Sequence, residues 1–306
     1  MKIVLAGGSG QIGAILKRAF ADDEVIVISR SGDVRWDGRT LGPWTAALEG
    51  ADALINLAGR TVDCRYTAAN RREIMDSRLE STFALREAIE RASDPPKVWL
   101  QSSTATIYAD TYGEPNAEDG VIGGNEPGLP DTWRFSIDVA RAWEDAAAGA
   151  PTRIVLMRSA MVMSPDRGGV FDTLYGLVRR GLGGRAANGR QFVSWIHEQD
   201  FAAATRLLIA RDDLSGPVNL ASPNPLPYAE FMAALRRAAG VPVGLPATRW
   251  MLELGAFFMR TETELVLKSR RVVPGRLLEA GFTFEHPEWP EAARELAARR
   301  RAPHPG

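Results

Sequence analysis

The chain has 306 residues, enough for a large core and two unequal lobes. Its 45% hydrophobic and 25% charged residues are those of an ordinary soluble protein, and a net charge of -1 argues against nucleic acid or an anionic membrane as main partner. The single cysteine, Cys64, excludes an internal disulfide and a cysteine-based zinc site, so no metal is expected and a reducing, cytoplasmic setting suits the chain.

In chain order, Lys2–Ala6 reads as a first strand, because its apolar run is too short for a signal segment and leads straight into glycines. Further strands are predicted at Glu24–Ser29, Ala53–Leu57, Lys97–Ser102 and Thr152–Met157, with helical patterns at Gln11–Phe20, Ala68–Arg91 and Phe135–Ala148 between them. That alternation predicts a doubly wound α/β fold, a parallel sheet with helices on both faces.

Asp110–Trp133, rich in Gly, Pro, Asp and Glu, reads as a long loop over one edge of the sheet. Val218–Leu220 reads as a short late strand. The remainder is predicted mostly helical: Phe201–Ile209 behind an Asp200 cap, Tyr228–Ala239 ending at Gly240, Trp250–Met259, and a last helix near Pro287–Arg301. The Trp250–Met259 stretch is broken by Glu253 and is too short to span a bilayer.

The segment Gly7-Gly8-Ser9-Gly10-Gln11-Ile12-Gly13 follows a strand and opens a helix. Glycines there make a tight turn, let a pyrophosphate approach the backbone, and let helix and strand pack closely. The pyrophosphate then meets free N–H groups at the helix N-terminus. The second strand ends in Ser29-Arg30, where an NAD enzyme usually carries an acid for the ribose 2′-hydroxyl. A guanidinium at that place forks onto a 2′-phosphate, so the predicted cofactor is NADP(H).

With these residues in hand the chain resembles an extended short-chain dehydrogenase/reductase. Asn56-Leu57-Ala58-Gly59 is similar to that superfamily's turn after the fourth strand, and Ser102-Ser103-Thr104-Ala105-Thr106-Ile107-Tyr108 to a run in sugar-nucleotide epimerases. Arg158-Ser159-Ala160-Met161-Val162 resembles the segment beside the nicotinamide, and Trp195-Ile196-His197-Glu198-Gln199-Asp200 a further family stretch. Within the superfamily the best resemblance is to the branch labelled NAD-dependent epimerase/dehydratase or sugar-nucleotide epimerase, formerly cell-division inhibitor. Gly189–His197, Ser222-Pro223-Asn224-Pro225 and the tail Glu262–Phe282 carry it.

The resemblance implies a Rossmann domain over 1–169, to which 195–221 return, and a smaller, mostly helical substrate lobe from 170–194 and 222–306. Leu57, Ala58, Gly59, Arg78, Ser102 and Arg158 then join the glycine loop, Ser29 and Arg30 as cofactor-binding residues. The superfamily's Tyr-x-x-x-Lys pair is missing: its places fall on Ser136 and Ala140, with no tyrosine between Tyr112 and Tyr175 and no lysine between Lys97 and Lys268.

Thr104 takes the place of the usual serine, and Tyr108, on the loop that follows, is the preferred proton donor. Asp110, Tyr112, Tyr66, Cys64 and His197 are the other titratable candidates. Three readings remain: an oxidoreductase with a relocated acid, an NADP(H)-binding sensor or scaffold without turnover, and cofactor-assisted chemistry without net redox change. The expected partner is an unidentified small molecule, with a homodimer left open and neither nucleic acid nor membrane involved.

Overall fold

A computed structural model describes residues 1–247 and 264–302 of the chain. The predicted helix at Trp250–Met259 lies outside the described residues. The rest forms two compact units. The first comprises Met1–Ile107, Arg134–Ser159 and Ala202–Val218; the second comprises Tyr108–Trp133, Ala160–Phe201 and Asn219–Gly306. Compared with the expected boundaries, residues 108–133 and 160–169 group with the second unit, as do 195–201 and 219–221, the ends of the segment expected to return to the first.

The first unit is built on strands β1 (Lys2–Ala6), β2 (Glu24–Ser29), β3 (Val34–Arg35), β4 (Ala53–Asn56), β5 (Val98–Thr104) and β6 (Arg153–Ser159). With the late strand Gly216–Leu220 at its margin, the sheet has seven strands in the order late strand, β6, β5, β4, β1, β2, β3. Neighbours from β6 to β3 pair in parallel. Helices α1 (Gln11–Ala19), α2 (Ala68–Arg91) and α3 (Asp131–Ala147) supply crossovers, as parallel pairing demands. Near-continuous apolar strands such as Ile3-Val4-Leu5 are buried on both faces, as parallel sheets require.

The chain runs from β1 outward to β2 and β3, then returns to the other side of β1 for β4. That reversal opens a crevice at the carboxyl ends of β1 and β4, where ligands of such sheets bind. β3 was not expected. Two residues carry no periodic signal, and this strand exists because Ile28 and Ser29 offer an edge to Val34 and Arg35.

In the second unit Met161–Met163 pairs with Trp195–His197 in parallel, and Phe192–Val193 with Leu226–Pro227 antiparallel. Its core joins Phe171, Trp195, Phe231 and Trp289, all fully buried. Trp289 stacks on Phe231 with ring centroids 4.1 Å apart and donates its indole N–H to the Phe231 carbonyl. Met163 and Trp195 are core residues of this unit.

Asp200 does not cap a helix. The helix begins at Glu198, and the Asp200 carboxylate accepts the backbone N–H groups of Glu285 and His286 instead. The segment 110–133 is tied within its own unit: Ala109 donates to Val121, and Asn116 pairs with Val272.

Candidate nucleotide and substrate site

The glycine turn follows β1, and each glycine has a separate physical duty. Gly7 has φ +75°, and a Cβ there would meet the Ala58 backbone at 2.6 Å. A Cβ on Gly13 would meet the Gly8 carbonyl oxygen at 2.0 Å, so only glycine lets α1 close onto the strand. Gly10, by contrast, faces open space, with nothing within 4 Å of a Cβ. It is the N-cap of α1 and no side chain caps that helix end, which leaves N–H groups for an anion. The Gln11 side-chain nitrogen is buried without a hydrogen-bond partner among the described residues.

The turn after β4 is held from behind. Asn56, fully buried, accepts the Ala58 N–H and donates to Thr82 and Gln101. Leu57 donates to the Ala6 carbonyl, so the two turns sit side by side.

Gly59 makes room for Arg78, whose guanidinium carbon would lie 3.2 Å from a Cβ there. Arg78 donates to the carbonyls of Arg60 and Ile74 and packs on the Trp143 ring. It has no carboxylate partner among the described residues, and desolvation lowers its pKa to about 10, still cationic at neutral pH. A desolvated guanidinium held on neutral carbonyls retains capacity for an anion.

At the end of β2, Ser29 is buried and its hydroxyl accepts the Ser31 N–H. Arg30 is exposed and makes no hydrogen bond or ion pair among the described residues. Arg35, opposite Ser29 in the register, is exposed and equally unpaired. Sequence reasoning missed Arg35, because its place depends on the unexpected β3.

Thr104 ends β5 opposite Ser159. Its hydroxyl oxygen accepts the Thr106 N–H at 3.2 Å, while its own hydrogen has no acceptor among the described residues. Ser102 is half-buried beside it. Ser103 and Arg158 do different work. The Ser103 hydroxyl donates to Glu144 at 2.5 Å, and Arg158 forks onto the same carboxylate at 2.9 and 2.8 Å. This buried triad bolts α3 to β5 and β6, so the Arg158 guanidinium, expected among the cofactor-binding residues, forks onto Glu144. A single glutamate in a helix gave no sequence signal for it.

Tyr108 begins the second unit, is 1% exposed, and donates its hydroxyl to Asn219 at 2.8 Å. Asp110 accepts the Ser269 N–H and burial raises its pKa; Tyr112 is largely exposed. His197 is fully buried against His286 and Glu295, and burial lowers its pKa. Cys64 is half-buried and hydrogen-bonds the Thr61 carbonyl.

Tyr66 has the most suggestive position. Its hydroxyl lies 3.4 Å from the Ser136 hydroxyl, and its ring packs edge-on against Phe135. Ser136 is the residue on which the sequence resemblance sets the place of the superfamily's tyrosine. Arg78 is close enough that a Tyr66 phenolate would raise its pKa. No local pattern announces this approach, because residues 66 and 136 are brought together only by the fold.

Comparison with known proteins agrees with this architecture. Residues 3–221 match the NAD dependent epimerase/dehydratase family, and residues 247–296 match a domain of unknown function, DUF1731. The chain is 32% identical to epimerase family protein SDR39U1 of Bos taurus, over 97% of this chain and 100% of that one. It is 33% identical to epimerase family protein MT2273 of Mycobacterium tuberculosis, over 93% of each. The crystal structure of human epimerase family protein SDR39U1 with NADPH superimposes with a TM-score of 0.83 at 29% identity, covering 97% of this chain and 99% of that one. A Thermus thermophilus UDP-glucose 4-epimerase complexed with NAD shares the fold at 16% identity, TM-score 0.71.

Proposed function

The chain belongs to the NAD dependent epimerase/dehydratase family, and from that membership we propose that it is an NADP(H)-dependent, epimerase-like oxidoreductase acting on a small molecule. The observation that carries this reading is the open face of the glycine turn. Gly10 leaves a space bounded by uncapped N–H groups, the Gln11 amide lacks a partner, and Arg30 stands unpaired at the end of β2. Gly7–Gly13 would hold the pyrophosphate, and Ser29 with Arg30 and Arg35 the 2′-phosphate. Leu57, Ala58, Gly59, Ser102 and Arg78 would line the nicotinamide half. Arg158 would act there only through the α3–β6 tie. The NADPH in the human relative's structure supports the same choice of cofactor. A nicotinamide held by these residues would supply hydride-transfer chemistry.

The chain's own residues then handle the proton. Thr104, with an uncommitted hydroxyl hydrogen, polarises the substrate oxygen. Tyr108 was the expected acid, but its proton is engaged by Asn219 and would have to leave that bond first. We therefore assign the acid role to Tyr66, beside Ser136, with Arg78 as the cation that stabilises its phenolate. A non-catalytic NADP(H) sensor is the competing reading, favoured by the missing Tyr-Lys pair.

The test screens aldehydes, ketones, enones and imines for NADPH oxidation, then compares Thr104→Ala, Tyr66→Phe and Tyr108→Phe. Loss of a positioned acid slows such steps about 10²–10⁴-fold. Tyr66→Phe should show that loss with unchanged NADPH affinity, and Tyr108→Phe should not. The reverse result returns the role to Tyr108. Tight NADPH binding with no turnover on any substrate supports the sensor.

A further inference from the structure

The second unit carries a cavity of about 710 Å³ that the proposed chemistry does not use. It lies between α4 (Val170–Arg179) and the last helix, Trp289–Arg301, and every lining residue belongs to the second unit. Arg179, Arg180, Arg300 and Arg301 line it, against the single carboxylate of Asp172. Arg300 is bound to Asp172, and Arg301 donates to the Ala238 carbonyl. The side chains of Arg179 and Arg180 are exposed and make no hydrogen bond or ion pair among the described residues.

The floor supplies an independent sign. Tyr175 also lines the cavity, is only 5% exposed, and its hydroxyl is buried without a hydrogen-bond partner among the described residues. A buried unpartnered hydroxyl costs free energy unless something accepts its proton. Arginines at helix C-termini are explained in part by the helix dipole. The dipole does not explain why a core tyrosine lining the same cavity as two unpaired guanidinium groups has an unsatisfied hydroxyl.

We propose that this cavity is an anion site for a diphosphate group, bound by Arg179 and Arg180 with Tyr175 donating from below. Four guanidinium groups against one carboxylate leave an excess positive charge that suits a polyanion better than a single phosphate. The volume is that of a small-molecule site. Guanidinium forks and a phenolic O–H are matched donors for phosphate oxygens.

The experiment is calorimetry on the full chain saturated with NADPH, titrated separately with inorganic pyrophosphate and with ADP. One equivalent should bind in at least one arm, and the arm that binds tells a free diphosphate from a nucleotide's. Arg179→Gln combined with Arg180→Gln should weaken binding roughly tenfold or more, given the strength of charge-assisted contacts. Tyr175→Phe should weaken it less, while NADPH affinity and melting temperature stay unchanged in the arginine variant. Both arginines are on the surface, so that variant folds. No binding in either arm, or binding unaltered by the double substitution, overturns the proposal.

Discussion

Under the proposed function, Arg30 is the residue on which cofactor choice turns. It stands where an acid would hold a 2′-hydroxyl, it has no partner among the described residues, and Arg35 lies in register with its neighbour Ser29. NADPH should therefore bind more tightly than NADH. Arg30→Ala should remove most of the difference, about 1.5–3 kcal/mol for one charge-assisted contact. Equal affinities for both nucleotides in the unsubstituted protein, measured by calorimetry, would refute the assignment. Arg30 was legible in the sequence because it ends a strand whose length could be read. Arg35 was not, because β3 has no periodicity of its own. Nor was Glu144, a helix residue whose meaning comes from Ser103 and Arg158 arriving from two strands.

Among the elements, the glycine turn and α1 give the sharpest contrast. Gly10→Val adds bulk to open space at a φ of -87°, which any residue tolerates. The protein should keep its melting temperature and lose nucleotide binding. Gly13→Ala drives a Cβ into the Gly8 carbonyl, so it should lower the melting temperature as well as binding. A Gly10 variant that binds NADPH normally would move the phosphate site elsewhere. Helix α3 shows the opposite relation between pattern and role. Its amphipathic pattern was plain from the sequence, yet that pattern did not single out Tyr66 from the other titratable candidates. Tyr66, from the turn before α2, comes to Ser136 only once both helices are packed.

Over the whole molecule, stability should depend on pH through His197. Burial, then His286, lowers its pKa from 6.5, against the opposing pull of Glu295 and Asp200. The unfolded chain therefore takes up a proton at a higher pH than the folded one does. Stability is full above about pH 6.5, the unfolded value, and is lost as pH falls through the folded value. The melting temperature should drop between pH 7 and pH 5, and His197→Gln should flatten that slope. An equal slope in the variant would assign the acid sensitivity to other groups. The sequence by itself determined the doubly wound sheet, the glycine turn after its first strand and the family, since these rest on local signals: apolar runs, glycine spacing and family motifs. No helix among the described residues is long and apolar enough to cross a membrane. Tertiary structure alone decided which hydroxyls are engaged and which remain available. Thr104 keeps its hydrogen and Tyr108 gives its own to Asn219, while Tyr66 comes to Ser136 and the Tyr175 hydroxyl is left unpartnered. The reason is physical. A hydroxyl's partner is set by which segments meet in space, often more than 60 residues apart in sequence, as with Tyr66 and Ser136, and no local spacing encodes that meeting.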